Sequence, residues 1–92
     1  MNVITGVVQD SHGNPLVQAR VYFTNGPVPL PDIAALTNKD GAFSLTAPVA
    51  GSYTLACAAE GFAPTAVTVA VTDSQETHLE IRLRPLSNLR QV

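Results

Sequence analysis

Residues 37–55, TNKDGAFSLTAPVAGSYTL, decide the fold of this chain. Apolar residues occupy every second position in two short runs, the first carrying Phe43 and Leu45 and the second beginning at Tyr53. A period of two places alternate side chains on opposite faces of a β-strand. The Asp-Gly dipeptide ahead of the first run is a turn signal, because Gly41 adopts a positive φ at no steric cost. The stretch therefore predicts strands separated by tight turns and excludes a helix.

The same period continues in both directions from this stretch. Turn-forming residues interrupt it at the short intervals that are typical of a sandwich or barrel. The predicted strands cover residues 4–10, 19–23, 35–37, 42–47, 53–57, 67–71 and 79–83. The sequence thus predicts an all-β protein, a seven-stranded antiparallel Greek-key β-sandwich.

One domain accounts for the whole chain, because a chain of this length buries roughly 60 to 65% of its unfolded surface in a single core. We assign residues 1–85 to the sandwich and residues 86–92 to a loosely held C-terminal tail, since Pro85 has no backbone N–H to continue a sheet. The predicted core lies between two antiparallel sheets. Its inward-facing residues are Ile4, Val8, Leu16, Ala19, Val21, Phe23, Phe43, Leu45, Tyr53, Leu55, Val67, Val69, Leu79, Ile81 and Leu83.

Composition excludes several classes of partner. The net charge of −2 comes from scattered acidic and basic residues, without the basic stripe that nucleic acid requires. No apolar run approaches the ~20 residues of a membrane span, and the lack of tryptophan disfavours carbohydrate binding. We therefore expect a protein partner, with no nucleic acid and no membrane insertion, while the oligomeric state stays open.

The compartment is not decided by the sequence. Cys57 is the single cysteine, which excludes an internal disulfide and fits both oxidising and reducing compartments. Met1 leads into an uncharged stretch without a basic region or cleavage site, so no signal peptide is expected. The chain as written is expected to be cytoplasmic, or else an excised domain of a secreted or surface protein.

The order of the strands and turns resembles the carboxypeptidase regulatory-like domains of the transthyretin-like (prealbumin-like) superfamily. The resemblance covers nearly the whole chain and implies that superfamily's β-sandwich. It also implies an accessory module, since such domains accompany enzymes, receptors, adhesins or secretion machinery, although the fold does not determine the function. The motifs that carry it are Ile4-x-Gly6-x-Val8-x-Asp10, Gly13-x-Pro15-Leu16, Ala19-x-Val21, Thr37-x-x-Asp40-Gly41-x-Phe43-x-Leu45, Pro48-x-x-Gly51-x-Tyr53-x-Leu55, Gly61-Phe62, Val67-x-Val69 and Leu79-x-Ile81-x-Leu83.

Three chemistries that occur in related proteins lack their residues here. Hydroxyisourate hydrolases end in a Tyr-Arg-Gly-Ser motif, whereas residues 87–92 read SNLRQV, so this activity is a remote alternative. A zinc carboxypeptidase needs a His-x-x-Glu ligand pair, which neither His12 nor His78 begins. The isopeptide bond of collagen-adhesin repeats needs a buried lysine, and Lys39 falls in a turn.

The remaining polar residues do not form a catalytic or metal motif. No serine lies in a Gly-x-Ser-x-Gly elbow. Four aspartates would serve calcium if they gathered at one end of the sandwich, but turn capping is the favoured interpretation because the Asp-x-Asp-x-Asp spacing is missing. These four are Asp10, Asp32, Asp40 and Asp73. We expect no catalytic residue, no metal and no cofactor.

The proline-rich segment, residues 26–36, is the predicted partner-binding site. Its apolar residues lie outside the strand alternation, and the prolines stiffen it, so it would lose little conformational entropy on docking. The residues assigned to the site are Pro27, Val28, Pro29, Leu30, Pro31, Ile33 and Leu36. In the alternative interpretation, the segment folds back over the open edge of its own sandwich and closes the core.

Two further surfaces are candidates. Residues 67–71 read VTVAV and would accept a strand from a partner or a second copy if they lay at a sheet edge. A central position, in which these residues are simply core, is the favoured prediction. The second candidate is an amphipathic surface patch made by Arg20, Tyr22, Arg82 and Arg84.

Taken together, these patterns predict a non-catalytic adaptor. It would recruit or position a partner protein or the rest of a parent chain, for example on a bacterial secretion or cell-surface complex. The alternative is a passive spacer or folding aid beside a catalytic domain.

Overall fold

Seven strands form the described part of the chain. The computed structural model describes residues 2–30, 33–73 and 76–86. The strands are β1 (Asn2–Gln9), β2 (Arg20–Asn25), β3 (Ala34–Leu36), β4 (Ala42–Ala47), β5 (Gly51–Ala58), β6 (Thr65–Val71) and β7 (Thr77–Arg82). The all-β prediction is confirmed. Within the described residues, no helix is long and apolar enough to cross a membrane.

The strands form a three-stranded and a four-stranded sheet. The first has the order β4-β1-β7, and the second has the order β3-β2-β5-β6. β1 and β7 run parallel, so the expectation of a wholly antiparallel sandwich is wrong for this pair. Strands joined by a short hairpin must run antiparallel, whereas β1 and β7 come from opposite ends of the chain and are free of that constraint.

The first turn closes locally but does not return β1 as a hairpin with β2. The Asp10 carboxylate accepts hydrogen bonds from the backbone N–H groups of His12 and Asn14 at 2.8 and 2.9 Å. β2 then pairs with β5 and β3 in the other sheet, so β1 and β2 are not sheet neighbours. Ahead of β2, the carbonyl of Leu16 accepts a hydrogen bond from the Thr37 hydroxyl at 2.6 Å.

The turn at Gly41 forms as expected, but it too joins strands of different sheets. Gly41 has a φ of 74°, and its N–H donates to the carbonyl of Asn38 at 2.9 Å. Before the turn, the Thr37 N–H donates to the carbonyl of Ala19, beside β2, at 3.0 Å. After it, the Gly41 carbonyl accepts from the Val8 N–H of β1 at 2.8 Å. The chain therefore changes sheets within a single tight turn.

The predicted core is confirmed. Every residue of the predicted inward set is buried or packs against the buried cluster between the sheets. The structure adds three further residues to the buried hydrophobic cluster, Ala47, Cys57 and Val71. Removing this apolar surface from water is the main favourable term in folding.

Strand directions divide the loops between the two ends of the sandwich. The proline end, as we call it, carries residues 26–30 and 48–50 together with residues 72–73. The opposite end carries residues 10–19 and 59–64 and the turn at Gly41. The proline-rich segment joins β2 to its neighbour β3 in the same sheet, so it does not cross between sheets.

The chain beyond β7 is held to the opposite end. The Ala63 N–H donates to the carbonyl of Arg84 at 2.8 Å, and the Leu86 N–H donates to the carbonyl of Gly61 at 3.0 Å. Leu86, which the sequence analysis assigns to the tail, thus lies against the 59–64 loop. Residues 87–92 of that tail lie outside the described residues.

Candidate functional site

The first half of the proline-rich segment is anchored on the core. A Cβ added to Gly26 would stand 2.8 Å from Cδ1 of Leu30 and 3.0 Å from Cδ2 of Tyr53. A Cβ added to Gly51 would stand 2.8 Å from Cγ of Pro27. Leu30 also packs against the buried cluster. This half of the segment therefore covers the end of its own core.

The second half of the segment is exposed. Ile33 and Leu36 have exposed fractions of 64% and 61%. Both belong to the β3 side of the four-stranded sheet, and β3 is an edge strand that pairs with β2. Pro31 lies outside the described residues. The structure thus divides the predicted site into an anchored part and an exposed apolar part.

Two cavities meet at Phe23. The first, of about 260 Å³, lies at the proline end and is lined by Phe23, Thr24, Asn25, Gly26, Val28, Pro29 and Leu30. The second, of about 320 Å³, is lined by Phe23, Ile33, Ala34, Ala35, Ser44, Leu45 and Thr46. Because the second cavity lies between β3 and β4, it opens on the side of the sandwich where the two sheets part. The exposed Ile33 forms part of its wall.

The contribution of β4 to this site is not predicted from the sequence. Ser44 and Thr46 alternate with Leu45 like the outward residues of any half-buried strand. That pattern holds no signal for a cavity. Only the position of β4 beside β3, across the gap between the sheets, brings these residues next to Ile33.

β6 is an edge strand, so the prediction that it is central is wrong. It pairs with β5 from Thr65 to Val71, and among the described strands none pairs with its other side. Alternation of valine with small residues is the same in an edge strand and in a central strand that faces solvent on one side. The sequence pattern therefore could not distinguish the two positions.

The predicted amphipathic surface patch is divided between the two sheets. Arg20 and Tyr22 flank the buried Val21 and so project from the outer face of the four-stranded sheet. Arg82 follows the buried Ile81 on β7 and projects from the outer face of the three-stranded sheet. The patch is divided because β2 and β7 belong to different sheets.

The histidines and the lysine lie apart. His12 is exposed in the first turn, whereas Nδ1 of His78, on β7, lies 3.1 Å from the Thr5 hydroxyl. Lys39 is exposed in the turn at Gly41. In residues 2–30, 33–73 and 76–86, no group of three or more His, Cys, Asp or Glu residues is placed to hold a metal ion.

Two of the four aspartates, Asp10 and Asp73, accept hydrogen bonds at opposite ends of the sandwich. Hydrogen bonds hold the pKa of the Asp10 carboxyl below its usual value. The largest effect comes from the Asn14 N–H, and the His12 N–H adds a smaller one. Asp73, at the proline end, accepts a hydrogen bond from Nδ2 of Asn2 at 3.3 Å. Asp32 lies outside the described residues. Asp10 and Asp73 are separated by the length of the strands and do not converge.

Cys57 is a packing residue in the core. Its exposed fraction is 1%, and burial raises the pKa of its thiol to about 11. The thiolate is the reactive form of cysteine. At neutral pH the side chain is therefore an inert thiol.

Comparison with known proteins identifies the fold. The sequence model of the carboxypeptidase regulatory-like domain matches residues 3–84, and a search of curated proteins finds no match. A chain of a type II cohesin-X-dockerin complex from Acetivibrio cellulolyticus superposes with a TM-score of 0.71 at 17% identity, over 92% of this chain and 58% of that one. A streptococcal ancillary pilin superposes with a TM-score of 0.70 at 19% identity, over 92% and 32%.

The same fold also occurs in an enzyme. Chlorocatechol 1,2-dioxygenase from Pseudomonas putida superposes with a TM-score of 0.54 at 11% identity, over 90% of this chain and 58% of that one. At such identities the likeness shows the fold alone. This chain spans 32% to 58% of the length of the three solved chains.

Proposed function

This chain belongs to the carboxypeptidase regulatory-like domain family, and we propose that it acts as a non-catalytic protein-interaction module. It recruits or positions a partner protein, or another part of a longer parent chain, as a bacterial secretion or cell-surface complex requires. The observation that carries the proposal is the exposure of two apolar side chains at the edge strand β3: Ile33, which directly precedes the strand and lines a cavity of about 320 Å³, and Leu36, which ends the strand.

This surface offers what a protein partner needs. Full burial of an isoleucine or leucine side chain stabilises by about 1.5–3 kcal/mol, and most of that gain is still available at Ile33 and Leu36. Pro27 lies against Gly51, and Leu30 packs on the buried cluster. Because these contacts already hold the residues before Ile33, ordering Ile33 on binding costs little conformational entropy.

The described side chains support a module without catalysis. His78 is engaged by the Thr5 hydroxyl, and the Cys57 thiol is buried with a raised pKa. Acyl transfer requires a nucleophile within hydrogen-bond reach of a base. The described contacts of His78 and Cys57 do not form such a pair. The dioxygenase of similar fold shows that such a sandwich accommodates catalysis, so this part of the proposal depends on these residues and not on the fold.

The test compares partner capture by three forms of the purified chain. In the double variant Ile33→Asp/Leu36→Asp, the two exposed side chains become charged without any change to the anchored residues. The matched control is Val17→Asp, since Val17 is 59% exposed but lies at the opposite end of the sandwich. We expect one stoichiometric protein to bind the wild type and the control and to be lost with the double variant.

A passive spacer or folding aid is the competing function, and one observation favours it. Leu30 packs on the core of its own domain, and Pro27 lies against Gly51, as in a segment without a partner. If no stoichiometric protein is captured at several salt concentrations, the spacer replaces the interaction module. If Val17→Asp abolishes capture as fully as the double variant, Ile33 and Leu36 are not the specific binding surface.

A further inference from the structure

β6 leaves an open edge on the four-stranded sheet. β5 pairs along one side of it, and none of the described strands pairs along the other. An open edge presents unpaired backbone N–H and C=O groups, which proteins usually protect with charged side chains, proline or a very short strand. β6 has none of these, since its seven residues read TAVTVAV.

The other edges are protected or engaged. β7 carries Glu80 and Arg82 among its six residues, and like-charged or unpaired charges oppose edge pairing. β3 has only three residues. β4 lies beside β3 across the gap between the sheets. Among the edges that the structure describes, β4 and β6 are long and uncharged, and of these β4 lies beside β3.

The sequence of β6 is self-complementary. Residues 66–70 read AVTVA, which is the same in both directions about Thr68. When two such strands pair antiparallel around a two-fold axis at Thr68, Thr68 faces itself and Val67 faces Val69 of the other copy. The residue numbers of facing residues differ by zero, two or four, and side chains two positions apart lie on the same face of a strand. Inward-facing residues of one copy therefore lie opposite inward-facing residues of the other. The two inner faces therefore remain continuous across the pair.

Burial in β6 is incomplete without a neighbour. Val67 and Val69 point inward but are only half-buried, whereas their partners Leu55 and Tyr53 on β5 are fully buried. A further strand would cover the free side of both valines. The outward residues offer no steric obstacle, because alanine and threonine alternate there.

We infer that the chain forms a symmetric dimer through antiparallel pairing of β6 with β6 of a second copy, centred on Thr68. The two four-stranded sheets then become one continuous sheet. This interface is separate from the surface at Ile33 and Leu36, because β6 and β3 are the opposite edges of the same sheet.

The first test measures the mass of the purified chain by analytical ultracentrifugation over a range of concentrations. The wild type is expected to show a concentration-dependent dimer. Thr68→Lys places two like charges opposite each other at the two-fold axis and is expected to raise the dimer dissociation constant at least about tenfold. The matched control Thr24→Lys adds the same charge at an exposed threonine of β2 and is expected to leave it unchanged.

The second test reports the register and does not depend on the lysine variant. Directly opposite residues in an antiparallel pair have Cα atoms about 4.5–5.5 Å apart, within the range of a disulfide. Thr68→Cys is therefore expected to form a disulfide-linked dimer on mild oxidation. Ala66→Cys is expected not to, because each Ala66 lies ~13 Å from its own counterpart along the paired strands. The native Cys57 is buried and does not interfere.

Three results would overturn the proposal. One is a monomer at every concentration, and another is a dimer that Thr68→Lys leaves unchanged. The third is crosslinking of Ala66→Cys at least as fast as Thr68→Cys, which would show a different register or interface. Because the Ile33→Asp/Leu36→Asp variant is expected to dimerise like the wild type, loss of the proposed partner and loss of the dimer are measured separately.

Discussion

The Tyr53 hydroxyl donates a hydrogen bond of 2.6 Å to the carbonyl oxygen of Val49. The Tyr53 side chain is fully buried, and its ring centroid lies 5.1 Å from that of Phe23. One side chain thus connects the core to the turn before β5. Pro27 packs against Gly51, immediately after that turn. The proline end of the sandwich is therefore organised around Tyr53.

Removing that hydroxyl is expected to weaken the fold. Tyr53→Phe keeps the ring packing but removes the hydrogen bonds that the hydroxyl donates to the Val49 carbonyl and accepts from the Val49 N–H, which should lower the free energy of unfolding by about 1 kcal/mol. Urea denaturation of both proteins measures the difference. Tyr22→Phe is the control, since Tyr22 lies on the outer face of the sheet, and its effect is expected to stay within about 0.5 kcal/mol. Equal losses in the two variants would contradict the role of Tyr53.

The two halves of the proline-rich segment are expected to differ in their effect on stability. Leu30→Ala removes side-chain atoms that pack on the core and should lower the free energy of unfolding by about 1–2 kcal/mol. Ile33→Ala changes an exposed side chain and should stay within about 0.5 kcal/mol. Thermal melting ranks the two variants. If Ile33→Ala were the more destabilising, the division of the segment would be incorrect.

A methyl group added to Gly6 is expected to be more harmful than one added to Gly13. A Cβ at Gly6 would lie 2.5 Å from the Leu79 carbonyl oxygen and 2.7 Å from the Phe43 ring, so β1, β4 and β7 would have to shift. Overpacking of this kind costs about 1–3 kcal/mol or more. Gly13 has a φ of 85° but open space around it, so Gly13→Ala costs only about 1 kcal/mol. Chemical denaturation of both variants decides the order.

Alkaline pH is expected to destabilise the fold through Cys57. Burial raises the pKa of the thiol from 9.0 to about 11, so between these values the unfolded chain loses a proton that the folded chain keeps. The free energy of unfolding therefore falls as pH rises through this window. Cys57→Ala lacks this contribution, and its stability deficit relative to the wild type should shrink between pH 9.0 and about 11. A constant deficit in urea denaturation across that range would contradict the prediction.

Much of the fold follows from local pattern. The alternation of apolar and polar residues predicts both that a strand forms and which of its faces is buried, as at Phe43 and Leu45 and again at Tyr53 and Leu55. That is why the predicted core is confirmed. The pairing of strands is a different matter, because the turn at Gly41 looks the same whether it returns the chain to its own sheet or passes it to the other.

Less of the candidate site follows from the sequence. Proline spacing marks residues 26–36 as a segment outside the strands, yet it treats Leu30 and Ile33 alike. In the structure, Leu30 lies beside Gly26 and packs on the buried cluster, whereas Ile33 is exposed. The second cavity likewise depends on β4. This strand belongs to the other sheet, but it lies close to Ile33 across the gap between the sheets.

By itself, the sequence determined where the strands lie, which face of each is apolar, and that residues 66–70 read the same in both directions. These are properties of neighbouring residues, and a period of two expresses them directly. Only the tertiary structure decided that β1 and β7 are parallel, that β6 is an edge, and that Ile33 and Leu36 remain exposed. These properties depend on which strands become neighbours in space, which is set by contacts between residues far apart in the chain.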